Sequence, residues 1–190
     1  FSTDDRDVAS SMSKQDDKLW TQDAVELFID ADGDGKDYVE LQASPAGVIF
    51  DSYLPGHRQN QNDWQSGARA ATQVSGTLNK SGDEDRGFTT ELVIPLAAAK
   101  GRASKPLAPP APGQVWRINL FRMDLDKGKP QRASGWSPPL VGDFHAEPAA
   151  LEIGRKARRH AAKPRAVAAL RRDGAVLAEP AVVAPVDRLL

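Results

Sequence analysis

The chain of 190 residues is long enough for one domain with a full core, and its 40% apolar and 27% charged residues are those of a globular protein rather than a disordered or collagen-like one. Lys and Arg number 25 against 26 Asp and Glu, and the net charge of −1 gives no overall reason to expect nucleic acid or an anionic membrane as partner. The absence of cysteine excludes disulfides, thiolate metal sites and cysteine nucleophiles, and no apolar run approaches the roughly 18 residues of a membrane-spanning helix.

The chain opens at Phe1, without Met and without a charged-then-apolar leader, and its N-terminus is read as processed, truncated or outside this numbering. The first strand signal is AVELFID at 24–30, where Val25, Leu27 and Ile29 alternate with Glu26, Phe28 and Asp30. DADGDGK is a turn by composition, and DYVELQA resumes the alternation with Val39 and Leu41 inward and Tyr38, Glu40 and Gln42 outward, so a hairpin is predicted. GVIFDSYL, ARAATQVSGTL, GFTTELVIPL and VWRINLFRMD read as further strands between Gly-, Pro-, Asn- and Asp-rich connections. Helix is confined to one short turn at PLAAAK, because Pro suits a first helical position and Ala propagates it; KPLAPPAPGQ beyond it reads as an extended loop. Many short strands and little helix predict an all-β, antiparallel sandwich or barrel over residues 1–154. Residues 155–190 form an irregular tail, a basic run with no acidic residue up to Arg172 and then an Ala/Val/Pro-rich stretch. It suits a linker-like extension or a charge block that docks an acidic partner.

Trp20 stands immediately before the first strand, Glu26, Glu40 and Gln42 share the outward phase of the hairpin, and Arg117 and Asn119 alternate against Trp116, Ile118 and Leu120. The result is a polar sheet face, which suits a ligand site or an ordinary solvated surface, just as Trp20 suits a stacking wall or a core lid. Asp30, Asp32 and Asp34 supply hard oxygen ligands at alternate positions, so calcium is a candidate ion. The flanks are strands, however, and position twelve of the loop is Leu41 rather than a bidentate glutamate, so a plain hairpin tip accounts for the same residues. His57, His145 and His160 show no zinc spacing. No nucleophile elbow, phosphate loop or metalloprotease motif is present, and Glu26, Glu40 and Glu91 lack any sequence sign of a catalytic pair.

The blocks LWTQDAVELFIDADGDGKDYVELQASPAGVIFD, GFTTELVIPLAA, VWRINLFRMD, GWSPP and DFHAEPAALEIG, in this order, resemble carbohydrate-binding module family 9. They also resemble its looser relatives in the superfamily of sugar- and haem-binding domains akin to the dopamine β-monooxygenase N-terminal domain. The resemblance covers about Phe1 to Gly154 and implies a jelly-roll-like β-sandwich from which two or so N-terminal strands are missing. It further implies a non-catalytic saccharide-binding module of a larger exported bacterial protein, placed outside the cell, in the periplasm or on the surface. Trp20 and Glu26 match positions that stack on a sugar ring and bond its hydroxyls, and Phe144 falls where the family's second stacking tryptophan lies. Gln42 stands in place of an arginine, Ser44 in place of an asparagine, and Asn119 near a glutamine. Two alternatives follow from the same resemblance: a sandwich that has lost sugar binding and holds a protein partner, and a haem-carrying electron-transfer domain drawing axial ligands from Met12, Met123, His57 and His145.

Overall fold

In the computed structural model the described residues are 1–103, 115–137 and 142–146, together with the backbone strands at 150–152, 166–168, 171–172, 175–176 and 181–183. Alternating apolar residues form the strands where the sequence places them: β2 (Ala24–Asp30), β3 (Tyr38–Ala43), β4 (Ile49–Leu54), β5 (Arg69–Ser75), β6 (Gly87–Val93) and β7 (Val115–Asp124). Shorter strands are β1 (Ser2–Thr3), β8 (Arg132–Gly135) and β9 (Ala150–Glu152), and among the described residues helix is limited to 3-10 turns at Leu19–Thr21 and Leu96–Lys100.

One sheet has the order β4-β3-β2-β7-β8, with β9 pairing the start of β7, and the other has the order β1-β6-β5; all pairings are antiparallel. The chain is a β-sandwich. In the tail, β10 (Ala166–Ala168) pairs with β13 (Ala181–Val183) and β11 (Arg171–Arg172) with β12 (Ala175–Val176), so short nested pairings interrupt the expected irregular stretch. The rest of the basic run and the loop KPLAPPAPGQ lie outside the described residues from position 104 onward, with His160 among them.

Between the sheets, Val25, Ala43 and Phe88 pack with Ala70, Val74 and Leu92, while Ile29, Val39, Leu41, Tyr53 and Trp116 pack with Ala98, Ala99 and Ile94. Gly87, at φ +126, lets β1 approach β6, because a Cβ there would lie 1.9 Å from the Thr3 carbonyl oxygen. Asp23 and Asp85 fasten the N-terminal segment to this body: Asp23 Oδ2 accepts the Ala9 N–H at 2.6 Å and Asp85 Oδ2 accepts the Val8 N–H at 2.9 Å.

Of the two readings of the second face of the larger sheet, the solvated surface does not match its burial. Every residue of β3 is buried, and Glu26, Phe28 and Asp30 on β2 are buried as well. The cause is aromatic: Phe28, Tyr38 and Phe121 stand with Leu54 in the outward phase, where they form a second cluster against which Phe144 packs. Full burial of one such side chain stabilises the fold by about 1.5–3 kcal/mol, enough to draw covering segments over the face.

Candidate functional site

Strand register sets Phe50, Gln42, Glu26 and Phe121 side by side across β4, β3, β2 and β7, a polar pair between two aromatic rings. Each flanking ring carries a second one. Trp20, brought in by the 3-10 turn before β2, meets Phe50 edge-on at 5.2 Å between centroids, and Phe144 stacks on Phe121 at 4.1 Å and 13°. The Phe121 ring has room because its partner on β8 is Gly135, where a Cβ would come within 2.6 Å of it. Trp20 and Phe144 are each half-buried and pack against the cluster of Leu19, Ala24, Phe50 and Met123.

The polar pair is buried, with Glu26 3%, Gln42 1% and neighbouring Glu40 4% exposed. Gln42 Nε2 donates to Glu26 Oε1 at 2.8 Å and to Glu40 Oε1 at 2.6 Å, and Asn60 Nδ2 donates to Glu40 Oε2 at 3.2 Å. Glu26 Oε2 and Gln42 Oε1 have no hydrogen-bond partner among the described residues. Burial, reinforced by the Glu40 charge, pushes the Glu26 carboxyl well above the usual carboxylate range.

Phe144 is held by its neighbours. Asp143 accepts Arg58 Nη2 at 2.7 Å and Arg58 Nε at 3.1 Å, lies 2.8 Å from His57 Nε2, and accepts the His145 N–H at 3.0 Å. The Arg58 hydrogen bonds hold the Asp143 carboxyl well below the usual range. His145 Nδ1 is 3.2 Å from the Tyr38 hydroxyl and its ring lies edge-on to Phe28, and burial lowers its pKa. Phe28, Asp30, Gly35, Tyr38, Phe144 and His145 line a shallow depression beside this loop.

Of the residues singled out in the sequence, Trp20, Glu26, Gln42 and Phe144 thus come to one face. Asn119 joins them in phase, but its amide is engaged: Nδ2 donates to the Ser137 carbonyl at 2.7 Å and Oδ1 accepts the N–H groups of Ser137 and Leu120. Arg117 stands opposite Asp30 at the hairpin end, its stem against Gly33. Glu40, Asn60, Phe121 and Asp143 complete the arrangement. Glu40 is legible from its phase with Gln42, whereas Asn60 and Asp143 sit in loops and carry no period.

The carboxylate oxygens of Asp30, Asp32 and Asp34 converge within 4.8 Å. Asp30 already accepts the Gly33 and Gly35 N–H groups at 2.8 and 2.9 Å, and Asp34 accepts that of Lys36 at 2.9 Å, an arrangement that closes the turn by itself. Asp5, Asp124 and Asp126 also converge, but Arg122, Arg132 and Lys129 pair with them. Met123 and Met12, considered above as haem ligands, pack against Leu19, Ala24 and Phe50. Among the described residues no helix is long and apolar enough to cross a membrane.

Fold and site together define an antiparallel β-sandwich with a buried polar floor bracketed by aromatic pairs. A candidate carbohydrate-binding protein of Bacteroides uniformis shares this architecture at 20% identity and a TM-score of 0.59, over 77% of this chain and 66% of that one. A carbohydrate-binding module of family 9 from Caldicellulosiruptor kristjanssonii, solved with cellotriose, aligns at 16% identity and a TM-score of 0.39, over 70% and 54% of the two chains. The chain therefore spans just under two thirds of the length of the first. No family model and no curated protein matches the sequence.

Proposed function

We propose that this chain is a non-catalytic carbohydrate-binding module that takes a saccharide over the Glu26–Gln42 floor, with Trp20 and Phe144 as the apolar contacts. The observation that carries the reading is the adjacent pair of buried acceptors, Glu26 Oε2 and Gln42 Oε1, without a donor among the described residues. A buried acceptor left unmade costs about 1–3 kcal/mol, and a sugar hydroxyl supplies the missing proton while its C–H face rests on an aromatic ring. The fold shared with the Bacteroides uniformis protein agrees with this reading. A binding role suits the carboxylates better than catalysis does. Glu26 and Glu40 are both tied to one amide nitrogen in the sheet, whereas glycoside hydrolysis needs two carboxyl groups free to flank the scissile bond. As a module of a larger exported protein, the chain would hold that protein on its polysaccharide.

Calorimetric titration with cello-, xylo- and gluco-oligosaccharides tests the proposal. Trp20→Ala is expected to weaken binding by about 1–3 kcal/mol while the fold survives, since a half-buried ring leaves no closed cavity. If the unmutated protein binds none of these sugars at millimolar concentration and Trp20→Ala unfolds it, Trp20 is a packing residue and the sugar reading falls.

A further inference from the structure

Two carboxyl groups lie in the floor, and among the described residues no positive charge is paired with either; burial and the Glu40 charge therefore raise the Glu26 pKa. Among the described residues no Lys or Arg bonds to Glu26 or Glu40; their donors are the neutral amides of Gln42 and Asn60. The basic groups around the face are otherwise placed. Arg58 and His57 are bound to Asp143, the stem of Arg117 lies along Gly33, His145 faces the Tyr38 hydroxyl, and Lys18 beside Trp20 is exposed. The other acids in the same phase, Asp30 and Tyr38, add no positive charge. Buried charge without a counter-charge is costly, and a site built this way gains most from a ligand that brings the cation.

We propose that the saccharide taken by this face is an amino sugar, its ammonium group set against Glu26 and Glu40 and its ring against Trp20 or Phe144. The proposal rests on the carbohydrate reading above and adds a charge to it. An ammonium carries three donors, which suits the unpartnered Glu26 Oε2 and Gln42 Oε1 together with a shared contact to Glu40, where one hydroxyl satisfies only one acceptor. Aromatic faces also attract a cation more than a neutral group, and Trp is the strongest of them. Burial and the Glu40 charge disfavour a bare carboxylate at Glu26, and an ammonium set beside it opposes that effect.

The test is calorimetric titration of the full chain at about pH 5.5, where the amine is protonated, with glucosamine oligomers, their N-acetylated counterparts and cello-oligosaccharides. The expected result is that the glucosamine oligomer binds at least about tenfold tighter than either neutral series. Glu26→Gln and, independently, Glu40→Gln should remove that preference in proteins whose circular dichroism is unchanged. Neutral sugars binding as tightly as glucosamine oligomers would overturn the cationic ligand and leave the carbohydrate reading intact. If no series binds the folded protein, both readings fail.

Discussion

Asp23 offers the sharpest test of how the N-terminal segment is held. It is 0% exposed, its two carboxylate oxygens accept the N–H groups of Ala9 at 2.6 Å and Leu125 at 2.7 Å, and its own N–H donates to the Ala9 carbonyl. Burial raises its pKa from 3.8 to about 7, against the two N–H bonds that favour the charged form and with Asp5 and Asp124 adding to the rise. Between those two values the folded protein holds the proton more tightly than the unfolded chain. The stability contributed by this group is therefore fully present below about pH 4, is lost as the pH rises toward 7, and levels off above it, a change of up to about 4 kcal/mol. Urea denaturation at a series of pH values from about 5 to 8 measures the slope. Glu26, Asp5 and Asp30 are raised by burial too, so the contribution of Asp23 is isolated by comparison with Asp23→Asn. The variant should lose much of the slope and, near pH 5, about 1–3 kcal/mol of stability, because its amide nitrogen must face one of the two N–H donors. A wild-type stability that is flat across this window, or a slope unchanged in Asp23→Asn, would refute the reasoning.

Arg58→Ala removes the bidentate partner of Asp143; the exposed pair itself is worth no more than about 1 kcal/mol, but the loop carrying Phe144 should loosen and saccharide binding fall by roughly threefold to tenfold at little cost in melting temperature. Equal binding by the variant would show that Phe144 needs no such anchor. Calcium at Asp30, Asp32 and Asp34 is expected to raise the melting temperature by no more than about 2 °C at millimolar concentration, since Asp30 is already engaged with Gly33 and Gly35 and calcium seeks six to eight oxygens. A larger rise would show a fuller coordination sphere, and no change would remove the ion. Glu26→Met should abolish saccharide binding and destabilise the fold by about 1–3 kcal/mol, because it leaves one Gln42 Nε2 hydrogen buried without its acceptor; unchanged stability would show that the Gln42 amide needs no partner at Glu26.

The strands β2 to β7 and the hairpin between β2 and β3 are legible in the sequence because apolar alternation is a local property of the chain. The burial of the second sheet face was less so. Alternation assigns Glu26, Glu40 and Gln42 to the outward phase, and three polar residues there read equally as a ligand site or a solvated surface. The contrary sign is present, since Phe28, Tyr38, Phe50 and Phe121 occupy that same phase, and aromatics in the outward positions of four neighbouring strands announce a second cluster. Strand order is what makes them neighbours, and order is a tertiary fact. The sequence singles out Trp20, Glu26, Gln42 and Phe144 one by one, while their grouping depends on the register of β2 with β3 and β7 and on an Arg58–Asp143 contact spanning 85 positions of sequence. The engagement of Asn119 with Ser137 has the same long-range character and no signature in either local stretch.

Buried polar groups in this sandwich divide by how they are satisfied, and the division locates the ligand. Asp23, Asp85 and Asn119 are each buried and each accepts backbone N–H groups from segments outside the sheets, so they act as fasteners for the loops. Among the described residues Trp116 and Asp51 each leave one atom unmade toward the core between the sheets, and Arg122 and Asp124 one each within their ion pair. Glu26 and Gln42 differ from these groups. They are cross-strand neighbours, each with an acceptor unmade among the described residues, bracketed by Trp20 on Phe50 and Phe144 on Phe121. The Gln42–Glu26 hydrogen bond accounts for one oxygen of the carboxyl and the nitrogen of the amide, but stability gives no reason for the two acceptors left over, since each buried acceptor without a donor costs the fold. A bound partner that donates to both and stacks on a ring supplies one, and a saccharide has both chemistries in a single ring.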